Sequence, residues 1–311
     1  MKQKTILGTV LVVACCLFAA CSAPAEGDPQ KVLSESAYKN VLAQYDDIWD
    51  FHEGLAKVRK GGIMTGTFGF VDAKGHEVIS CVYDFATEFK GGLCSVKKDD
   101  KYGFINPKGE VIVPIIYEEV GSFTDDLAPV ATLKPNSRYA KLWGFINKKG
   151  EVIVPIENEV ASDFSEGMAR LKKSDKLGYI NNKGEYVVDA SFSQGYDFSE
   201  GLAVVEKGDK EMVIDMKGNI IYTLSKKMTF PSWAEYHDGM ITVQKLVGSS
   251  WWDDDDVMEG YLDKEGNEAI RCIYDDVEDF ENGVAMVKKD GTRFYINTKG
   301  EKVTDPDDDE D

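Results

Sequence analysis

The sequence predicts an all-β protein: seven tandem antiparallel β meanders of about 34 residues each, stacked as an open superhelical array. Three observations predict it. The text Gly144-Phe145-Ile146-Asn147, followed by Gly150-Glu151, returns as Gly103-Phe104-Ile105-Asn106 with Gly109-Glu110, and as Gly178-Tyr179-Ile180-Asn181 with Gly184-Glu185. Turn glycines at 75, 109, 150, 184, 218, 266 and 300 are spaced by 34 residues in four of six intervals, the others being 41 and 48. The segments between them are short, rich in β-branched and aromatic residues, and bounded by Gly, Asn or Asp, which is the grammar of strands and hairpins. Seven copies also suit a closed propeller-like ring, but 34 residues is short beside the roughly 40–45 of a four-stranded propeller blade.

Residues 1–20 read as a signal peptide. Lys2 and Lys4 form a basic start, residues 6–18 are apolar, and Ala19-Ala20 precede Cys21. The apolar run is too short for a spanning helix, which needs about 20 residues. Phe18-Ala19-Ala20-Cys21 resembles the lipobox of bacterial lipoproteins, which implies lipidation of Cys21 and a membrane anchor that does not span. Removing residues 1–20 takes two positive charges and no acid from a net charge of −19, leaving −21. Residues 21–31 are small and polar, a tether. Residues 32–44 place Val32, Tyr38, Val41 and Leu42 at helical spacing, with Ser34 or Ser36 at the N-cap. A short helical cap there would cover the first repeat.

The repeats occupy residues 45–303. One half of each is Phe-x-x-Gly-Leu-Ala-x-Val, as in Phe51 with Gly54-Leu55-Ala56 or Phe198 with Gly201-Leu202-Ala203. The other half is a strand, the Asn-x-x-Gly turn, and a further strand. Asn147 suits the start of that turn and Gly150 the positive φ that closes it. A returning segment such as 117–123 supplies a fourth short strand, and residues 45–51 are placed to pair with the final strands if the array closes. One meander cannot bury both faces, so neighbouring copies must stack. Residues 304–311 are an acidic tail.

At this level the units resemble the WG-repeat family of bacterial exported proteins over residues 45–303. Its Trp-Gly pair stands here as Trp143-Gly144, and as Phe68-Gly69, Tyr102-Gly103, Leu177-Gly178 and Glu259-Gly260 elsewhere. It is lost at Glu211-Met212 and Arg293-Phe294, which puts the local backbone of those two copies in question. The resemblance implies a binding or structural surface protein of varying copy number.

Three copies are enlarged at the same hairpin connection, by residues 59–68, 131–143 and 246–259, so the insertions share one edge of the array, often the binding edge. The candidate ligand-binding residues lie there: Trp251 and Trp252 in one loop, Arg138 and Tyr139 in another. Aromatic faces with a few polar groups suit a protein or glycan partner. A smaller insertion lies in another connection, near residues 228–234.

Enzymatic readings find little support. His52 and His237 occupy the same loop position in two copies, His76 follows a turn glycine, and no nucleophile elbow, phosphate loop or zinc-binding helix is present. Paired acids such as Asp46-Asp47 and Asp275-Asp276 recur with the repeat, so the fold explains them first. The runs 253–256 and 305–311 lack the calcium-loop pattern and read as solvated acid. No metal or cofactor is expected. An acidic field repels phosphate backbones and argues against nucleic acid. Of Cys81, Cys94 and Cys272 at least one is unpaired, and Cys94 replaces a small core residue. The leading expectation is a lipid-anchored, non-enzymatic binding or scaffold protein, an outer membrane lipoprotein of a bacterial cell envelope facing periplasm or surface. A purely structural envelope component and a carbohydrate-active enzyme are the alternatives.

Overall fold

The computed structural model describes residues 26–124, 126–248 and 257–306. It contains seven antiparallel sheets in tandem, each a meander whose strands we call a, b, c and d in chain order. In the third sheet these are Glu119–Val120, Leu127–Leu133, Lys141–Asn147 and Val152–Asn158. In the fifth they are Gln194–Gly195, Leu202–Lys207, Lys210–Asp215 and Ile220–Thr223. The short returning strand therefore opens the next sheet rather than closing its own. In the sixth sheet strand a is Met228–Thr229, and a second two-residue piece, Tyr236–His237, also pairs with strand b. The insertion near 228–234 separates the two.

The c–d turn is made by its first residue. Asn147 Oδ1 accepts the backbone N–H groups of Lys149 and Glu151, both at 3.0 Å, and its amide donates to Glu151 Oε2. Asp215 accepts the same two bonds in the fifth sheet, from Lys217 and Asn219. An Asx side chain thus replaces the backbone partner that a tight reversal lacks. Gly150 closes the turn at φ 80°, where a Cβ is costly.

Successive residues of strand c face opposite neighbours, because side chains alternate across a strand. Phe145 packs toward the fourth sheet and Ile146 toward the second. Between the first and second sheets, Leu55, Phe70, Ile79 and Tyr83 meet Phe89, Cys94, Val96 and Ile105. The same residue types recur at the next interface, where Leu93, Phe104, Val113 and Tyr117 meet Ala128, Val130 and Ile146. The strand-c ring meets the next sheet's loop ring edge-on: Phe104 and Phe123 at 4.8 Å, Tyr179 and Phe198 at 4.8 Å. Burying each such ring contributes about 2–3 kcal/mol, and the edge-on geometry about 1 kcal/mol more.

Six core clusters each join a sheet to its sequence neighbour, and none among the described residues joins the seventh to the first. The free face of the first sheet is taken by two helices. Helix α1 spans Pro29–Val32 and helix α2 Glu35–Gln44, N-capped by Asp28 and Ser34. Leu33, Val41 and Tyr45 cover Phe51, Ala56, Val58 and Val71. A closing seventh sheet would need that same surface, so the array is open. Nor do residues 45–51 reach the final strands. The first sheet's own strand a, Asp47–His52, pairs with Leu55–Lys60 of the same sheet, and Gly27 bridges Phe51 on its outer side. At the other end Val284, Met286 and Val303 stay only half-buried.

The family glycine has a steric cause. Trp143 pairs with Asn158 and Phe145 with Val154, so strand d spends four residues where strand c spends two. The surplus backbone arches over Gly144. A Cβ there would collide with Val154 O and lie 2.8 Å from Ile156 Cα. Gly103, Gly178 and Gly260 meet the same obstruction, at 2.6, 2.5 and 2.6 Å from a strand-d carbonyl oxygen. Where Met212 replaces the glycine, strand d shortens to Ile220–Thr223 and that arch is gone. Where Phe294 replaces it, strand d is only Lys302–Val303.

The three described cysteines are unpaired. Burial pushes the Cys94 and Cys272 thiols up to about 12 and Cys81 to about 11, so they stay protonated and unreactive at neutral pH.

Candidate binding edge

Each sheet has two edges of different character. The a–b loops and c–d turns share one, and the b–c hairpins share the other, as the antiparallel registers require.

The loop-and-turn edge satisfies itself. The residue before the loop glycine is acidic in four copies and adopts a left-handed φ, 52° at Glu53, 50° at Glu166, and 51° at both Glu200 and Asp238. Its carboxylate accepts the N–H of the next copy's loop. Glu53 takes Gly91 and Gly92 at 2.6 and 2.9 Å, Glu166 takes Gly201 at 2.8 Å, Glu200 takes Gly239 at 2.9 Å, and Asp238 takes Gly283 at 2.6 Å. Burial acts against ionisation of Glu200, but the Lys264 ammonium and the Gly239 N–H outweigh it and hold the carboxyl below its ordinary range. These bonds staple adjacent copies and leave little polar capacity for a ligand. His52 and His237 lie on this edge, beside Glu26 at 3.9 Å and Asp279 at 3.8 Å.

The hairpin edge is divided. Four hairpins are two-residue turns made of polar residues or glycine: Asp99-Asp100, Ser174-Asp175, Gly208-Asp209 and Asp290-Gly291. The recurrent acids just before strand a hold hairpin tips. Asp46 accepts Gly61 N–H at 2.7 Å, Asp84 accepts Asp99 at 2.9 Å, and Asp275 accepts Gly291 at 3.1 Å. Glu159 accepts both Ser174 and Asp175, at 3.2 and 3.1 Å. The fold therefore accounts for Asp46 and Asp275 without catalysis.

The three enlarged hairpins differ in kind. In the first, Gly66 N–H folds onto Gly62 O at 2.6 Å and pushes Ile63 and Met64 outward, 82% and 92% exposed. In the third, Ser137 Oγ accepts the N–H groups of Tyr139 and Ala140, and the Tyr139 ring stands 80% exposed. Arg138, beside it, is also exposed. In the sixth, Val247 is 54% exposed where the loop leaves strand b. Trp251, Trp252 and Cys21 lie outside the described residues. Sequence reasoning missed Ile63 and Met64. Their signal was an apolar pair between glycines, with no strand partner to bury it.

Beneath the tips sits the first residue of each Trp-Gly pair. It faces an aromatic ring across the sheet at Phe68 with Tyr83, Tyr102 with Tyr117, and Leu177 with Phe192. Glu259 takes this place in the sixth sheet, opposite Tyr274. Burial pushes its carboxyl up, and Gln244 Nε2 at 2.8 Å and Val277 N–H at 3.0 Å satisfy it. Among the described residues no group of three or more His, Cys, Asp or Glu side chains is arranged to hold a metal ion.

A family model described as "WG containing repeat" matches residues 39–62, 68–102, 102–132, 143–176, 178–210 and 260–292. No curated protein matches the chain. Among solved structures it is similar to a eukaryotic initiation factor, at 10% identity and TM-score 0.45 over 84% of this chain and 77% of that one. It is also similar to an uncharacterized protein of Listeria monocytogenes, at 8% identity and TM-score 0.41 over 81% and 91%. A puromycin hydrolase is similar at 11% identity and TM-score 0.36, over 92% of this chain and 57% of that one.

Proposed function

The chain belongs to the WG-repeat family, and from that premise we propose that it is a non-enzymatic binding or scaffold protein working through its enlarged hairpins. One observation carries the reading. Exposed apolar side chains stand at the tips of enlarged hairpins on one edge, whereas the short hairpins of that edge are polar and the loops of the opposite edge are tied to one another by hydrogen bonds between copies. Exposed apolar groups rimmed by polar ones mark protein contact surfaces. Ile63 and Tyr139 supply anchors that lose little conformational entropy in a contact, Met64 an adaptable apolar one, and Arg138 adds a directional donor. Trp251 and Trp252 belong to the same reading through their hairpin. Attachment through a lipid on Cys21 would hold the array at the surface of a bacterial envelope, with residues 21–31 as the spacer.

The test is a photo-crosslinking residue placed at Ile63 or Tyr139 in the native cell, with Lys183 on the opposite edge as control. Discrete adducts at the two tips and none at 183 are expected; equal labelling at all three sites, or none, removes the hairpin edge from consideration. Stability should move by no more than about 0.5 kcal/mol, as for other exposed substitutions. In the same cells Cys21→Ser should shift the protein from the membrane fraction to the soluble one, and unchanged fractionation would remove the anchor.

A further inference from the structure

A cavity of about 850 Å³ opens on the hairpin edge between the fifth and sixth sheets. It is lined by the Asp209–Glu211 stretch, the Thr223–Lys226 stretch, Met228, Thr229 and Gln244. Its origin is legible in two substitutions within one copy. Glu211 and Met212 replace the aromatic and the glycine of the repeat. Without the glycine, strand d ends at Thr223. The residue facing Glu211 is then Leu224, whose N–H reaches Glu211 O at 2.9 Å, in place of the Tyr83, Tyr117, Phe192 or Tyr274 of four other copies. Where the first two copies pair two rings, this copy has a carboxylate and a leucine, which widens the groove left open by the shortened strand d. The sixth sheet makes the comparison sharp: Glu259 stands at the same position, but Gly260 is kept, strand d is full length, and the carboxylate is only 8% exposed.

We propose that this cavity binds a neutral sugar. The hairpin-tip reading is separate and does not depend on it. The volume lies in the range of small-molecule sites, roughly 300–1,000 Å³. Charges on the lining balance, two acids (Asp209, Glu211) against two lysines (Lys210, Lys226), which disfavours a strongly ionic ligand. Thr223 and Ser225 each offer a hydroxyl that donates and accepts; Thr229 already bonds the Glu211 carboxyl, and Gln244, whose Nε2 donates to Glu259, keeps its amide oxygen as an acceptor. Leu224 and Met228 lie at the rim of the adjoining core and present an apolar floor for the C–H face of a pyranose. Glu211 is pre-positioned: Phe230 N–H holds its Oε1 at 3.2 Å. Burial pushes its carboxyl up, and the nearby Glu206 adds to the shift. A sugar hydroxyl donating to that oxygen would restore solvation that the fold has removed.

The test titrates the full chain, in a detergent without a sugar headgroup, with glucose, N-acetylglucosamine and maltose. At least one should bind saturably in the millimolar range or tighter. Ser225→Trp fills the cavity from its solvent side and should weaken that binding by about tenfold or more. Thr223→Trp serves the same purpose if the first variant fails to melt like the parent. Failure of all three sugars to bind at about 10 mM, or binding indifferent to a folded cavity-filling variant, overturns the proposal. Neither result bears on crosslinking at Ile63 or Tyr139, so the two readings fail separately.

Discussion

The third and fifth sheets are copies of one unit, both opening strand b on Leu-Ala-x-Val, and end differently. Trp143-Gly144 lets strand d arch over strand c and run to Asn158, whereas Glu211-Met212 ends it early and leaves a hollow. The lesson is that the glycine is a clearance, demanded by a neighbouring backbone rather than by its own φ. The aromatic before it is filler for the space that the arch encloses. Replace both together and the copy still stacks: Met212 itself joins Ala203, Val205 and Ile214 in the core on one side, and Leu202, Val204 and Val213 fill the other.

The largest effect should come from Gly144→Ala. The obstructing atoms are backbone and cannot rotate away, so a loss of about 3 kcal/mol or more is expected in chemical denaturation. A cost below about 1 kcal/mol would show that the arch yields easily and that the comparison is wrong. Next is Asn147→Ala, which strips the turn of the acceptor for two N–H groups and should cost about 1–2 kcal/mol. Asp215→Ala in the fifth sheet should cost a similar amount. A much smaller loss there would mean that a shortened strand d no longer needs its turn.

The smallest effect separates Asp from Asn at that corner. The Asn219 side-chain amide, with the Asn219 and Lys217 N–H groups, holds the Asp215 carboxyl below its ordinary value. A carboxyl lowered by folding adds stability above its unfolded pKa and loses it as pH falls through the folded one. Asp215→Asn should therefore flatten the acid limb of the stability curve below about pH 4 and leave pH 7 nearly unchanged. An unaltered acid limb would assign the shift no role in folding.

Much of this was readable in the amino-acid order because the repeat averages out local ambiguity. One Asn-x-x-Gly is a weak turn signal, but four of them and three Asp-x-x-Gly at matching positions are a strong one, and all seven turns are present. The alternation that sends Phe145 and Ile146 to different neighbours was also plain. Openness was less so, since it depends on whether Leu33 and Val41 reach the face of the first sheet, a contact no period encodes. The acid-to-glycine staples between copies were missed because Glu53 and Gly92 look like independent loop residues until the sheets are placed side by side. Of the candidate site, the enlarged hairpins were visible as insertions. The cavity was not, because it arises from a shortened strand, and Glu211 on its own reads as one more surface acid.

The two ends of the array differ in a way that bears on its motions. At one end helices α1 and α2 lie over the first sheet, while at the other Val284, Met286 and Val303 are only half-buried among the described residues. Each copy is held by its neighbours, so opening is least costly where the core residues are least covered. Amide hydrogens should therefore exchange in a gradient along the chain, fastest in the seventh copy and slowest in the middle copies, as a zipper loosens from its unfastened end.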